Sequence, residues 1–138
     1  MERVRDELWR LPHHVLPQAY ERPQETLMEY GVQETEGAED LFEHSDWRDV
    51  DIDALLSHPT ALWFLNVAGL EYFLPAIAVS IVTAVRTGNP DFGRDVFDHL
   101  ESKIDKENAR SGFELSVGNR ELYCYIEEMM RNELLSDG

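Results

Sequence analysis

Thiol chemistry is almost absent from this chain. Cys124 is the only cysteine among 138 residues, which excludes an internal disulfide and argues against a thiolate metal site. That usage suits a reducing cytoplasm, where we place the protein. Positive charge is scarce as well: 12 Lys and Arg face 28 Asp and Glu, a formal net charge of −16. This is about twice the upper end of what solubility asks of a small domain. Such a field repels nucleic acid and anionic membrane surfaces and steers basic proteins inward. The expected partner is therefore a basic protein, with no role for nucleic acid or membrane.

Long apolar runs are missing too. The segment from Ala61 to Val85 is interrupted by Asn66, Gly69, Glu71 and Pro75, and its longest charge-free run, Tyr72 to Val85, is 14 residues. A membrane span needs about 20 mostly apolar residues, so the segment reads as buried core. The start, Met1-Glu2-Arg3-Val4-Arg5-Asp6, is mixed in charge and unlike a signal peptide. No stretch of any length alternates apolar and polar residues, which removes β-strands from the expectation.

What remains is helical. With 43% hydrophobic residues in 138, residues 1–138 are expected to form one domain around one core. The fold class is all-α: a compact helical bundle with a kinked, buried central helix. Residues 2–10 read as a short helix with Val4, Leu8 and Trp9 inward, ended by Pro12. A second begins at Pro23, with Glu25 in its first turn, Leu27 and Met28 inward and Gly31 past its end. Ala61-Leu62-Trp63-Phe64-Leu65 forms a turn or two.

The central helix is the clearest element. Leu70, Phe73, Leu74, Ile77, Ala78, Ile81, Val82 and Val85 keep the helical period over four turns. The other side carries Ala76, Val79, Ser80, Thr83 and Ala84, small enough for neighbours to approach. Pro75 removes one backbone donor and predicts a kink. Asn89-Pro90-Asp91 marks the next helix start, with Phe92, Val96, Phe97, Leu100 and Ile104 inward. A polar loop is expected from Lys106 to Gly112, then a last helix capped by Ser116 with Leu122, Tyr125, Ile126 and Met129 inward.

Catalytic and metal-binding patterns are hard to find. Asp49, Asp51 and Asp53 have the first three spacings of a calcium loop, but its sixth and twelfth positions hold Ala54 and Thr60 instead of Gly and Glu. His13, His14, His44, His58 and His99 make no zinc-binding pair. His99 is expected to face Asp95 one turn back, and Cys124 to be a structural thiol. Glu71, the lone Asp, Glu, Lys or Arg between Ala54 and Val85, reads as a first-turn carboxylate favoured by the helix dipole and reaching solvent. A raised-pKa catalytic acid is the alternative, and it lacks a second catalytic group nearby. No catalytic residue, cofactor or metal is expected.

The densest charge lies between Gln33 and Asp53, where Glu34, Glu36, Glu39, Asp40, Glu43, Asp46, Asp49, Asp51 and Asp53 face only Arg48. Such a tract is either a solvated face or a docking face. Leu41, Phe42 and Trp47 pin it to a core. As a docking face it would comprise these nine acids with Trp47, and Trp47, Phe42 or Tyr30 would supply aromatic anchors. The Asp91 to Glu101 helix, or Glu127 and Glu128, is the alternative location.

Trp47-Arg48-Asp49, Leu65 and Gly69-Leu70-Glu71-Tyr72-Phe73-Leu74-Pro75-Ala76 resemble a small family of bacterial helical proteins of unassigned function. That family's pattern is a Trp, a leucine-rich turn, then G-[FL]-x-[YF]-[YF]-L-P-A opening a buried helix. The resemblance covers roughly Trp47 to Leu100, and Leu115-Ser116 looks like the start of its final helix. It implies a compact helical bacterial domain without a known catalytic motif. In size and charge the chain is similar to immunity proteins, which neutralise toxins passed between competing bacteria. The leading expectation is thus an immunity-type inhibitor, not an enzyme, whose acidic face covers a basic toxin or effector domain. The alternatives are a phage-type acidic mimic of nucleic acid that blocks a DNA-binding defence enzyme, and a small carboxylate-dependent enzyme.

Overall fold

The computed structural model describes residues 3–11, 42 and 46–136. The expected helix after Pro23, Tyr30, Leu41, the His13-His14 pair and the acids Glu34, Glu36, Glu39, Asp40 and Glu43 lie outside the described residues. The rest is all-α, and among the described residues the only extended pairing is an isolated bridge between Arg3 and Asp51. It is closed by the Val4 N–H donating to the Val50 carbonyl at 3.1 Å.

The opening helix is shorter than its periodicity suggests. α1 spans Val4–Glu7 and tightens into a 3-10 turn at Leu8–Arg10. Val4 is buried as expected, but Trp9 is 71% exposed, and the Arg10 guanidinium lies 4.4 Å over its ring. Asp46 and Asp51 then do what short acidic side chains do at helix starts. Asp46 accepts from the Arg48 N–H at 2.9 Å and opens a 3-10 turn at Trp47–Asp49. Asp51 accepts from the Ala54 N–H at 3.2 Å and opens α2, Ile52–Ser57. A longer 3-10 segment, Pro59–Phe64, leads to the centre.

α3 spans Val67–Arg86, capped by Asn66, whose Oδ1 accepts from the Gly69 N–H at 2.8 Å. By length and composition it could cross a membrane, yet every residue from Tyr72 to Ala84 is buried within the protein. It packs against α1, α2 and both later helices. The helix continues through Pro75. Because proline has no N–H, the Glu71 carbonyl one turn back loses its ordinary helical donor. The Asn119 side-chain amide takes that place, donating to it at 2.8 Å.

α4, Pro90–Ser111, starts where Asn-Pro-Asp places it. The Asn89 side chain makes no capping bond; its backbone carbonyl accepts from the Phe92 and Gly93 N–H groups at 3.2 and 3.4 Å. The small face of α3 admits α4 closely at Gly93, where a Cβ would stand 3.2 Å from the Ile81 carbonyl oxygen and 3.4 Å from the Ala84 Cβ. Two expectations fail here. Phe92 is 52% exposed and does not belong to the inner stripe. The expected polar loop from Lys106 is helix as far as Ser111. Lys106, Glu107, Ala109 and Arg110 are good helix formers, and the chain turns only at Gly112, whose φ of 72° lies in the left-handed region. α5, Val117–Ser136, closes the bundle with Leu122, Ile126 and Met130 buried against the core.

Candidate functional site

The four described acids of the tract, Asp46, Asp49, Asp51 and Asp53, do different jobs. Asp46 and Asp51 are helix caps, and Asp49 is tied to the Arg3 guanidinium at 3.6 Å and to that of Arg5. All three are half-buried. Asp53 alone among the described members of the tract is exposed and without an ion-pair partner among the described residues. Two of the three carboxylates with the calcium spacing, Asp49 and Asp51, are thus engaged by the chain itself. No group of three or more His, Cys, Asp or Glu among the described residues could hold a metal ion.

The aromatic anchors are also internal. Trp47 is 1% exposed and its backbone N–H donates to the Tyr72 hydroxyl at 3.4 Å. Phe42 is fully buried, its ring 4.8 Å from that of Phe73. The 3-10 turn opened by Asp46 aims Trp47 at α3, where burying a large aromatic surface outweighs presenting it to solvent. Neither side chain can serve as an exposed docking contact in this fold.

Free carboxylates collect on α4 instead. Asp91, Asp95, Asp98 and Asp105 recur at i, i+4, i+7 and i+14, which places them on one face, with Glu101 beside them. All five are exposed, and none pairs with a cation among the described residues. Arg94 is the one cation set within this face. Lys103, Lys106 and Arg110, at i, i+3 and i+7, form the neighbouring stripe, with Glu107 paired to Lys103 and Arg110. This arrangement was legible in the sequence as a four-seven spacing of Asp.

The edge of the acidic face is completed by α5. Tyr123 stacks on Phe97 with ring centroids 5.6 Å apart and planes 22° apart. Burial, then the nearby carboxylates of Glu101, Glu127 and Asp105, push its phenol well above the ordinary tyrosine range, and Glu101 lies within hydrogen-bonding reach of the hydroxyl. Phe92 is the exposed aromatic at the other end of the face.

Glu71 is half-buried in the first turns of α3, and its carboxylate is engaged by the start of α5. Its carboxylate accepts from the Ser116 N–H at 2.7 Å, the Ser116 hydroxyl at 3.0 Å and the Asn119 amide at 2.5 Å. It therefore fastens the start of α5 from a neighbouring helix, taking up the Ser116 N–H and two side-chain donors. His99 does not pair with Asp95; its Nδ1 accepts from the Trp63 indole N–H at 2.8 Å. Cys124 is exposed, not a core thiol. No family model, curated protein or solved structure matches the chain.

Proposed function

We propose that this protein is an immunity-type inhibitor that binds a basic toxin or effector domain through an acidic face and blocks it without catalysis. The observation that supports this most is the row of Asp91, Asp95, Asp98, Glu101 and Asp105 on one face of α4, all exposed and none in an ion pair among the described residues. Carboxylates held in a row on a rigid buried-core helix present a preorganised field, and such fields steer basic partners toward contact. The resemblance to small bacterial helical proteins, and the likeness in size and charge to immunity proteins, support the same reading.

This reading puts the described part of the docking face on α4 and its border with α5, and it is supported by the engagement of Asp46, Asp49 and Asp51 within the fold. The test compares the immobilised wild-type chain with an Asp95→Lys, Asp98→Lys, Asp105→Lys variant in extracts of the source cells. The expected result is one basic protein bound in equal amount to the wild type, released by salt, and associating at least about tenfold more slowly with the variant. A basic partner that binds both proteins equally at every salt concentration would remove α4 from the interface. An extract in which no basic protein binds the wild type specifically would overturn the reading itself.

A further inference from the structure

On the stripe of α4 next to the acids, the Pro59–Phe64 segment is held by an arrangement that the docking role does not use. Trp63 is gripped at two points. Its indole N–H donates to His99 Nδ1 at 2.8 Å, and its backbone carbonyl accepts from the Lys103 ammonium at 3.2 Å. Lys103 is fully buried and also donates to the buried Glu107 carboxylate, 3.3 Å away. The Lys103 and Lys106 ammonium groups lie 5.9 and 5.5 Å from the centre of the Trp63 ring.

We infer that the Trp63–His99 pair is a proton-operated latch, which fastens the Pro59–Phe64 segment to α4 while His99 is neutral and releases it when His99 is protonated. An imidazole nitrogen that accepts a hydrogen bond carries no proton, so in this geometry His99 is the neutral tautomer with its hydrogen on Nε2. Adding a proton places an N–H on Nδ1, and two N–H groups then face each other where one bond had been. The new positive charge also joins Lys103 and Lys106, two cations already drawn to the indole face.

The surroundings make this a switch with two positions. Releasing the segment takes the Trp63 carbonyl from the buried Lys103 ammonium and uncovers Ala61 and Leu62, both of which are buried. These losses come together, because one short segment carries all of them. The charged groups on α4 and on the elements packed against it are these. Asp95 sits one turn before His99 on α4 and carries the charge opposite to that of a protonated ring. α2 carries Asp53 and is followed by His58, both exposed. α3 carries Glu71, occupied by Ser116 and Asn119, and Arg86 at its far end. α5 carries Tyr123 and Glu127, which lie beside Glu101. The Pro59–Phe64 segment itself has no charged residue, so the charges that meet the latch on α4 are Lys103 with its partner Glu107, Lys106 and Asp95.

The latch is independent of what docks on the acidic face and is tested on the free, full-length chain. Indole and imidazole nitrogens are followed by nuclear magnetic resonance from about pH 8 to about pH 5, either side of the ordinary imidazole range. Trp63→Phe assigns the indole signal. The expected result is a His99 ring protonated only on Nε2 at the upper end. As that ring titrates, the Trp63 indole N–H should shift and exchange with solvent at least about tenfold faster. His99→Asn keeps an acceptor in place and removes the titration, so its Trp63 signal should stay constant over the same range. A Trp63 signal that ignores the titration of His99 would overturn the latch. So would the same pH dependence in His99→Asn, or a His99 that stays neutral throughout while the chain remains folded.

Discussion

Replacing Asn119 by Ala tests how α5 is fastened to α3. Asn119 is 2% exposed, and its amide donates to both the carbonyl and the carboxylate of Glu71, at 2.8 and 2.5 Å. A bond to a charged acceptor contributes about 1.5–3 kcal/mol and a neutral one about 0.5–1.5 kcal/mol. The loss should therefore be about 2–4 kcal/mol, toward the upper end because Pro75 has already taken the carbonyl's helical donor. Urea unfolding followed by far-ultraviolet circular dichroism measures it. The same substitution in a Pro75→Ala background isolates the cause, since an alanine in place of the proline returns an N–H to the Glu71 carbonyl. There the cost of Asn119→Ala should fall by about 1 kcal/mol, the coupling expected of groups sharing one acceptor. A cost below about 0.5 kcal/mol, the scale of surface changes, would refute the reasoning. So would an equal cost in both backgrounds.

Phe73→Ala should cost about 3–5 kcal/mol in the same assay, because the ring is fully buried against Phe42 and Tyr72; a loss on the surface scale would place it outside the core. Gly93→Ala should cost about 1–3 kcal/mol by forcing α4 off α3, where the new Cβ meets the Ile81 carbonyl oxygen at 3.2 Å; unchanged stability would mean the helices separate freely. Tyr123 stays protonated in the fold at pH values where the unfolded chain ionises it, so its stabilising contribution is complete below about pH 10 and is lost as pH rises further. Tyr123→Phe should flatten that alkaline fall, and an identical slope would refute the assignment. Replacing Glu39, Asp40 and Glu43 together by Lys should leave the fold intact and slow association with the basic partner most at low salt. Unchanged association at every salt concentration would confine docking to α4.

The three long helices were legible because each carries its own signal. The apolar period of Leu70 to Val85 and the Asn89-Pro90 start depend only on nearby residues. α4 runs on through Lys106 to Ser111 because helix propensity there is high, although the polarity of the stretch suggested a loop. The decisive polar contacts were not legible. Trp63 meets His99 and Glu71 meets Asn119 across separations of 36 and 48 residues, and such pairings depend on the register of packed helices. Trp47 and Phe42 were legible as the residues that pin the acidic tract to a core, and both are buried. That Trp47 is closed to a partner as well was not legible, because it depends on the turn that directs the ring, opened by Asp46.

The acids divide by the work they do, and the division bears on function. Asp46, Asp51 and Glu71 terminate helices, and Asp49 gathers Arg3 and Arg5 to hold the opening segment. Each carboxylate so used has given up part of its freedom to attract a partner, since its field is already met by donors or cations. Folding has no comparable use for the acids on the outer face of α4. Their mutual repulsion opposes compaction, and solubility alone asks for about half the net charge the chain carries. A face that costs stability and exceeds the needs of solubility is what an acidic docking surface requires. The same division holds along α4: its exposed acids meet no partner within the described fold, while on the neighbouring stripe Lys103 and Lys106 draw inward around Trp63.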